Sequence, residues 1–576
     1  MNPTDLEQLR HSTSHVMAEA VADLFPATLF GIGPAIEDGF YYDFDTERAF
    51  TPDDLASIEE RMHQIVAKKQ PFERKTLGLD DARELMADQP YKLELIDEHA
   101  DDGEISFYTS GDFTDLCRGP HVADTGELGH FKLTKVAGAY WHGDSDRPML
   151  QRIYGTAWPT AEELNEYLRR MEEAEKRDHR KLGRELDLFS FHEEAGAGLP
   201  LYHPKGARVM RLLQDWLREA LYERGYVEAI TPHVYKSDVW KRSGHWENYK
   251  DNMYFFEIND GDEDHPKINE YGIKPMNCPG HLMIYADGLH SYRELPIRLF
   301  EFGTVYRHEL SGVVHGLMRA RSFTQDDAHI FCTADQVADE VNAMLDLVDY
   351  IMNTFGFTYT AELSTRPEKS MGTDETWEFT TGILKDTLDK RGIEYAINEG
   401  DGAFYGPKID IHLRDAIGRT WQCSTIQFDA LMPEKFDLEY RTADNSVERP
   451  YMLHRAILGS MERFMGILIE HYAGALPVWL APVQATIIPI SDDQLEAAQG
   501  VADDLSSAGV RVEIDSSAER MGAKIAKATA QKVPYMLILG KREIENGTLS
   551  VRHRTDGDLG TKGLDEFIEL VNSDRP

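Results

Sequence analysis

The stretch FEFGTVYRHELSG, residues 300–312, decides the fold of the chain. If its FGTVYRHE portion is a β-strand, Arg307 and Glu309 lie two residues apart on one face and can meet the same ligand. The planar guanidinium of arginine can donate two parallel hydrogen bonds to phosphate oxygens. A nearby carboxylate can accept a hydrogen bond from an amino group or help to hold a metal. Taken alone, such a pair can equally be an ion pair on the surface, so the surrounding sequence has to distinguish the two.

Length and cysteine usage set the class of protein. The 576 residues are too many for one hydrophobic core, so about two to four domains are expected. Four cysteines lie far apart in a chain that begins without a secretory signal, which favours free thiols or metal ligands over a disulfide framework. The sequence has no uninterrupted apolar run long enough to cross a bilayer. These features predict a cytoplasmic protein with no membrane partner.

The charge is strongly acidic but unevenly distributed. A net charge of −40 argues against a nucleic-acid binder when the chain is taken as a whole, because carboxylates repel phosphates. Residues 519–554, however, hold eight lysines and arginines against three glutamates. A shorter basic cluster, KRDHRKLGR at residues 176–184, is either a contact surface or a solvated helix face. The window at residues 519–554 is therefore the better candidate for contact with nucleic acid.

The acidic surface predicts adaptation to a high-salt cytoplasm, because hydrated carboxylates keep a protein soluble there. We expect the activity of the protein to fall when the salt concentration is lowered. Activity measured across a salt titration checks this, and an activity that does not respond to salt would contradict it.

The pattern along the chain predicts four parts. Residues 1–160 mix helical and strand patterns, as in an α+β domain. Residues 161–186 are highly charged and lack glycine and proline before Gly183, which predicts one long linker helix. Residues 187–476 form the largest predicted domain, and residues 477–576 alternate strands and helices as in a small α/β domain with a mainly parallel sheet. The predicted fold is multidomain, α+β and α/β.

Motifs in the central part carry a family resemblance. RHE at residues 307–309 resembles motif 2 of class II aminoacyl-tRNA synthetases, GSMER at residues 459–463 resembles motif 3, and Pro232 resembles the motif 1 proline at the dimer interface. IKPMNCPGH, FTQDDAHIFC and YMLHRAILGSMERF narrow the resemblance to the threonyl-tRNA synthetases of the bacterial type. The resemblance implies a central catalytic domain with an antiparallel sheet, a homodimer, and L-threonine, ATP with Mg²⁺ and tRNA(Thr) as partners.

The same resemblance implies a zinc site. Cys278, His329 and His454 fall at the family's ligand positions, and a thiolate with two imidazoles leaves the fourth tetrahedral position open for substrate. One zinc ion per subunit is expected. Without the resemblance, these residues would be interpreted as a buried cysteine and two hydrogen-bonded histidines. A site that must bond the hydroxyl of threonine can exclude valine by about 10⁴-fold or more, whereas serine differs by one methyl group and is expected to be activated in error.

The resemblance also assigns the other residues of the catalytic domain. His245 matches the residue associated with transfer to the ribose of tRNA, and a packing histidine is the alternative. Arg307, Arg463 and His245 are the expected catalytic residues. The expected threonine contacts are Gln325, Asp327, Tyr405 and Gln427. The expected ATP contacts are Arg307, Glu309, Arg319, Phe323, Gln422 and Arg463. The chain departs from the family pattern at Ser424 and Ile457, where glycine is usual.

Two pairs of residues in the N-terminal part point to a second site. His11 and His15 are four apart in a helical pattern, and Cys117 and His121 are four apart around a Gly-Pro pair. The glutamate of an H-E-x-x-H protease is missing, which disfavours a zinc hydrolase, although a second metal site stays open. The resemblance implies instead the editing site that hydrolyses mischarged seryl-tRNA. Its expected residues are His11, His15, Lys92, Asp115, Cys117 and His121, with Tyr42 at a matching position.

The C-terminal part resembles the anticodon-binding domain of class IIa synthetases, which explains its basic window. Arg520, Lys524 and Lys527 are expected on one side of a helix along the tRNA phosphates, and Glu545 and Arg554 match anticodon-reading positions. Family members commonly begin with a small ubiquitin-like domain, and we expect this chain to lack it. The alternative to an enzyme is a non-catalytic RNA-binding paralogue, which would be expected to lose Arg307, the zinc ligands or Arg463.

Overall fold

The computed structural model describes residues 3–99, 104–144, 146–262 and 264–576, which divide into two units, Met1–Glu172 and Glu173–Pro576. The predicted boundaries at residues 160, 186 and 476 are not tested by this division and stay predictions.

The N-terminal unit packs two helices against an antiparallel sheet. Its elements are α1 (Pro3–Leu24), β1 (Leu29–Phe30), β2 (Ala35–Ile36), β3 (Gly39–Asp45), α2 (Pro52–Ala67), β4 (Glu73–Leu77), α3 (Leu79–Leu85), α4 (Pro90–Glu98), β5 (Ile105–Ser110), β6 (Phe113–Leu116), β7 (His130–Tyr140) and β8 (Met149–Trp158). The larger sheet has the order β1-β3-β8-β7, with β2 on β3, and β4-β5-β6 form a second sheet. Val16 and Val21 of α1 pack with Phe40 and Ile153 in the core, which fixes the face that α1 turns to the sheets.

The predicted single linker helix is wrong. The structure has α5 (Ala161–Arg177) and α6 (His179–Glu185), separated at Asp178. The Asp178 backbone is not helical, and its side chain accepts a hydrogen bond from the N–H of Arg180, so it caps a new helix instead of continuing the first.

The central region is built on one eight-stranded sheet. Its elements are β9 (Phe189–Ser190), β10 (Leu201–Tyr202), α7 (Pro204–Glu223), β11 (Val227–Glu228), β12 (Val234–Lys236), α8 (Ser237–Ser243), α9 (His245–Tyr249), β13 (Phe255–Asn259), β14 (Ile268–Ile273), α10 (Cys278–Ala286), β15 (His290–Ser291), β16 (Ile297–Tyr306), β17 (Ser322–Cys332), α11 (Val337–Phe355), β18 (Thr358–Ser364), α12 (Asp374–Arg391), β19 (Tyr395–Asn398), β20 (Lys408–Arg414), β21 (Thr420–Asp429), α13 (Met432–Lys435), β22 (Tyr440–Arg441), β23 (Val447–Glu448), β24 (Tyr451–Ala456) and α14 (Met461–His471). The sheet order is β11-β16-β17-β24-β21-β20-β18-β19, antiparallel except for the parallel pair at each edge. The expected antiparallel catalytic core is confirmed.

Period-two alternation on β17 separates the core from the site. Ala328 and Ile330 belong to the hydrophobic core that includes α11 and α14. Gln325, Asp327 and His329 lie at the alternate positions and face the opposite side of the sheet. Helices α11 and α14 therefore pack on one face of the sheet, and these three polar side chains lie on the other face. The strand predicted from the first stretch, β16, ends at Tyr306, so Arg307 and Glu309 lie just beyond it and not on it.

The C-terminal region is a five-stranded sheet with helices. Its elements are β25 (Ala485–Pro489), α15 (Leu495–Ser507), β26 (Val512–Ile514), α16 (Met521–Ala530), β27 (Tyr535–Leu539), α17 (Lys541–Asn546), β28 (Thr548–His553), β29 (Gly557–Gly563) and α18 (Leu564–Asn572). In the order β26-β25-β27-β28-β29, the first two pairings are parallel and the last two antiparallel. The prediction of a mainly parallel sheet is corrected, because the short links around β28 leave no room for the crossover that parallel pairing needs.

Among the helices of the described residues, none combines the length and the apolar composition that a membrane span requires.

Candidate functional site

Three residues that are remote in sequence form a cluster of metal-ligating atoms on the polar face of the central sheet. His329 on β17 stands directly opposite His454 on β24 in the strand register, and Cys278 begins α10 beside them. One ligand atom from each residue lies within 4.8 Å of the others, and all three residues are buried. The sheet pairing, not sequence spacing, brings them together.

The chemistry of this cluster fits zinc. His454 Nε2 lies 2.9 Å from Asp429 Oδ2, which leaves the other ring nitrogen as the metal ligand. Burial lowers the pKa of His329 and raises the pKa of the Cys278 thiol well above its ordinary value. A bound cation would reverse the thiol shift, because metals bind the thiolate. A thiolate and two neutral imidazoles are a donor set for an open tetrahedral zinc site.

A cavity of about 480 Å³ opens next to this cluster. Asp327 accepts a hydrogen bond from Asn277 Nδ2 at 3.0 Å, and its other oxygen lies 3.8 Å from His329 Nε2. The Tyr405 hydroxyl donates to Gln427 Oε1, and the Tyr405 ring stacks on the His454 ring at 4.8 Å. The predicted threonine contacts Gln325, Asp327, Tyr405 and Gln427 all line this cavity.

The rest of the same cavity is lined by cations. Arg307 lies over the Phe323 ring at 5.1 Å, and Arg319 pairs with Glu309 at 3.0 Å. Arg463, in the first turn of α14, donates to the carbonyls of Met318 and Gln422 at 2.9 Å each, which fixes its guanidinium. The structure thus brings every residue predicted for ATP into one cavity with those predicted for threonine and zinc: Arg307, Glu309, Arg319, Phe323, Gln422 and Arg463. Their individual roles stay predictions.

His245 is the one predicted catalytic-domain residue outside the lining. Its ring is fully buried, with Nε2 3.1 Å from Met276 Sδ and 3.9 Å from Cys278 Sγ. Burial lowers its pKa to about 3. Met276 lines the cavity, so His245 lies one side chain behind the wall, and both its transfer role and the packing alternative stay open.

Sequence reasoning missed the groups that hold the loop between β24 and α14. Asp326 accepts hydrogen bonds from the backbone N–H groups of Ile457 and Leu458 and pairs with Arg455 at 3.2 Å. The Ser424 hydroxyl donates to the Ile457 carbonyl at 2.5 Å. The two departures from the family pattern therefore contact each other. No periodic pattern could have shown this, because the partners are far apart along the chain.

Helix α6 holds the loop that carries Arg319, and the sequence did not predict this contact. The N–H of Leu317 donates to His179 Nε2 at 3.0 Å, and His179 Nδ1 lies 2.6 Å from Glu470 Oε1. His179 is fully buried. One end of the cavity therefore depends on the second of the two linker helices.

Glu462 supplies a pH-dependent term in stability. It is buried in the first turn of α14, where it accepts the N–H of Thr324 at 2.7 Å. Burial raises its pKa to about 7 from 4.5. Because the folded state holds the proton more tightly than the unfolded state, stability is lost as the pH rises from about 4.5 through 7.

We expect E462Q, which cannot ionise, to be more stable than the native protein at pH 8, by about 1–3 kcal/mol, and to gain nothing at pH 4.5. Thermal unfolding at the two pH values measures this, and an equal difference at both would contradict it.

The N-terminal unit contains a second buried polar cluster. Cys117 Sγ lies 3.2 Å from His11 Nε2 and 3.3 Å from His121 Nε2. One ligand atom each from His11, His15, Cys117 and His121 lies within 4.8 Å of the others, so the alternative of a metal site stays open. Burial lowers the pKa of His11 and of His15, and lowers that of His121 to about 2. These imidazoles are therefore neutral at pH 7, and the unprotonated nitrogen of each ring can accept a hydrogen bond from water.

A buried ion pair stands next to this cluster. Lys92 Nζ contacts Asp115 Oδ1 at 2.5 Å, and the Tyr42 hydroxyl donates to Asp115 Oδ2 at 2.5 Å. Asp115 Oδ2 also lies 3.7 Å from His15 Nδ1. All the residues predicted for editing, with Tyr42, are thus in one place. Phe72 and Tyr108, whose rings contact His121, were not predicted.

The C-terminal residues are only partly accessible. Arg520, Lys527 and Glu545 are exposed. Lys524 is buried, and its ammonium donates to the Asp515 carbonyl at 3.0 Å, so the prediction that it follows phosphates is wrong. The Arg554 guanidinium donates hydrogen bonds to three backbone carbonyls, those of Ala475 at 2.9 Å, Leu476 at 2.7 Å and Lys532 at 2.8 Å. Its role in anticodon reading stays a prediction.

Comparison with known proteins identifies relatives over almost the whole chain. Residues 254–472 match the tRNA synthetase class II core domain (G, H, P, S and T), residues 484–574 the anticodon binding domain, and residues 105–154 the threonyl and alanyl tRNA synthetase second additional domain. The threonine–tRNA ligase of Caldanaerobacter subterraneus subsp. tengcongensis is 55% identical over 97% of this chain and 86% of its own length. That of Oleidesulfovibrio alaskensis is 52% identical over 100% of this chain and 88% of its own. A crystal structure of the RNA binding domain of threonyl-tRNA synthetase from Cryptosporidium parvum Iowa II matches with a TM-score of 0.66 and 42% identity, over 69% of this chain and 98% of that one.

Proposed function

Since the chain belongs to the threonine–tRNA ligase family, it is an enzyme that joins threonine to tRNA with the help of ATP and Mg²⁺, and we propose that the cavity beside Cys278 is where threonine is activated. The observation that supports this most strongly is that residues from α10, β17, β21, β24 and α14 meet in one cavity, with metal-ligating atoms at one end and arginines at the other. Such an arrangement holds a small polar amino acid next to a polyphosphate.

The zinc end of the cavity selects threonine. Cys278, His329 and His454 would hold a zinc ion, which would supply a Lewis acid for a substrate with a side-chain hydroxyl, and valine has no such hydroxyl. Asp327 accepts hydrogen bonds from the amino group. Tyr405, which the bond to Gln427 and the stack on His454 keep in place, closes the side of the pocket.

The arginine end binds ATP and promotes the reaction. The carboxylate of threonine attacks the α-phosphate in line, the bond to pyrophosphate breaks, and threonyl-adenylate forms. Arg307, Arg319 and Arg463 neutralise the phosphate oxygens, and the adenine stacks on Phe323 with its amino group at Glu309. Preorganised charge and positioning account for such a reaction without a proton shuttle at the phosphate.

We propose that the N-terminal cluster is the catalytic site for hydrolysis of seryl-tRNA. One of the neutral imidazoles, His11 or His121, takes a proton from the water that attacks the ester carbonyl. The bond between that carbonyl carbon and the ribose oxygen of tRNA then breaks, and the proton passes to the departing oxygen, so that serine and tRNA are released. The buried pair Lys92 and Asp115 holds the cluster in shape. A pocket that admits serine and excludes the additional methyl of threonine corrects the error that zinc cannot prevent.

The remaining proposals concern assembly. Exposed residues of the C-terminal region, Glu545 among them, contact the anticodon of tRNA(Thr). We propose a cytoplasmic homodimer. Val227, Ile230 and Val234 are near Pro232 in the sequence and are 53%, 88% and 41% exposed, which supports pairing of two copies through these apolar side chains.

The test is ATP–pyrophosphate exchange with threonine, valine and serine, together with zinc content and seryl-tRNA hydrolysis by the same preparation. We expect exchange with threonine, weaker exchange with serine, none with valine, and cleavage of seryl-tRNA. Absence of threonine exchange despite one bound zinc per chain would contradict the assignment of the cavity.

The C278S variant tests which of the two clusters of metal-ligating residues binds zinc. If zinc is bound only at the catalytic cluster, C278S loses its zinc and its threonine exchange but still hydrolyses seryl-tRNA. Zinc that stays with C278S would place a metal at the N-terminal cluster and support the alternative of a second metal site.

A further inference from the structure

A line of buried polar contacts leads from His329 away from the cavity. His329 Nδ1 lies 2.7 Å from His281 Nδ1, and His281 Nε2 lies 3.4 Å from Glu301 Oε2. In the described part of the chain His281 Nε2 makes no hydrogen bond, and its contact with the Glu301 carboxylate at 3.4 Å is electrostatic. His329, His281 and Glu301 are 1%, 0% and 4% exposed, so water does not compete for these contacts.

The chemistry of the three groups fixes where the protons lie. An ionised carboxylate only accepts, so His281 presents Nε2–H to Glu301 and its Nδ1 is the acceptor. His329 must then donate from its own Nδ1, because two nitrogens at 2.7 Å need one proton between them. The lone pair of His329 is left on Nε2, on the side of Cys278 and His454.

Glu301 can act as a pure acceptor facing His281 only if its carboxyl group is ionised. Its Oε1 accepts from Lys274 Nζ at 2.9 Å and from the N–H of Thr231 at 3.2 Å, and its Oε2 accepts from the Thr231 hydroxyl at 2.9 Å. Although burial alone would raise the pKa of Glu301, the neighbouring His281 and the Lys274 charge hold it at about 2.

We propose that Glu301 acts through His281 as a positioning pair that fixes His329 in the one tautomer able to bind zinc. The inference rests on the proposed zinc site. His454 receives the same help directly, from Asp429. The two imidazole ligands would thus have a carboxylate behind each of them, one in contact and one relayed by a second histidine, and groups of this kind orient ligands and raise metal affinity.

The first test measures zinc affinity by competition with a chelator in H281F, which keeps a ring of similar size and removes both the hydrogen bond to His329 and the contact with Glu301. We expect the affinity to fall about 10–100-fold. We also expect KM for threonine to rise while KM for ATP stays unchanged, because only the zinc end of the cavity is disturbed. H290F is the control, since His290 belongs to the same region but contacts the Tyr285 carbonyl and not this line.

E301Q gives a second test that keeps the shape of the side chain. Its amide can donate to His281 Nε2, which allows the reversed tautomers, and we expect zinc affinity to fall about tenfold or more. Native zinc affinity in a folded H281F or a folded E301Q overturns the proposal. If H281F does not fold, E301Q decides, and if E301Q does not fold either, cobalt absorption of the H281N variant does: an unchanged tetrahedral spectrum and affinity would overturn it. Absence of zinc from the native protein would instead contradict the proposed function.

Discussion

Replacing Arg463 by alanine is expected to lower the rate of threonine-dependent ATP–pyrophosphate exchange by about 10²–10³-fold, the usual cost of removing one preorganised donor from developing charge. The side chain is fixed by its bonds to the carbonyls of Met318 and Gln422, so it reaches the phosphates without reorganisation. We expect R463K to recover only part of the rate, because an ammonium is a compact charge without the planar fork of donors with which Arg463 holds both carbonyls.

The control for this prediction is R449A. Arg449 is an exposed residue that pairs with Glu434 at 3.1 Å and does not line the cavity, so its loss should leave exchange unchanged. Exchange rates at saturating ATP and threonine, with zinc content measured in parallel, give the comparison. A change of less than about threefold in R463A with zinc retained would remove Arg463 from the catalytic residues.

Replacing His11 by alanine is expected to lower seryl-tRNA hydrolysis by about 10²–10⁴-fold, the range for loss of a general base. Burial keeps the His11 imidazole neutral at pH 7, and its Nε2 faces Cys117 in the centre of the N-terminal cluster. Activation of threonine should not change, since the residues proposed for activation lie in the other unit of the chain. The consequence would be accumulation of seryl-tRNA(Thr).

The matched control is H63A, because His63 is an exposed histidine of the same unit that stacks on Phe131 outside the cluster. Hydrolysis of preformed seryl-tRNA by H11A, H63A and the native enzyme is the measurement. If H11A hydrolyses seryl-tRNA at the native rate, the base must be another group, and H121A becomes the next variant to measure.

Local sequence patterns and motifs predicted the family and the fold class of each large part, but not every helix boundary or strand direction. Sequence patterns correctly indicated mixed helix and sheet in the N-terminal, central and C-terminal parts, and the antiparallel core followed from the motifs. The linker was predicted as one helix because its charged residues suit a helix, and a single capping aspartate, Asp178, divides it. The C-terminal sheet was predicted as mainly parallel because strands and helices alternate, although the links near β28 are too short for that.

The residues of the catalytic cavity show what sequence alone determines. It provides the side chains and, through period-two alternation, the face on which Gln325, Asp327 and His329 lie. Their assignment to threonine and zinc depended on a family resemblance, since Cys278 and His454 are too distant along the chain to form a spacing motif. Only the pairing of β17 with β24 places His329 opposite His454.

Tertiary structure alone decided the supporting groups. His281, Glu301 and Asp429 carry no local signal, because each acts through a contact made across strands or between a strand and a helix. The sequence determined which side chains were available and which face each would take. The packed sheet determined which of them meet, because strand register and burial set the distances and remove the water that would otherwise satisfy these polar groups.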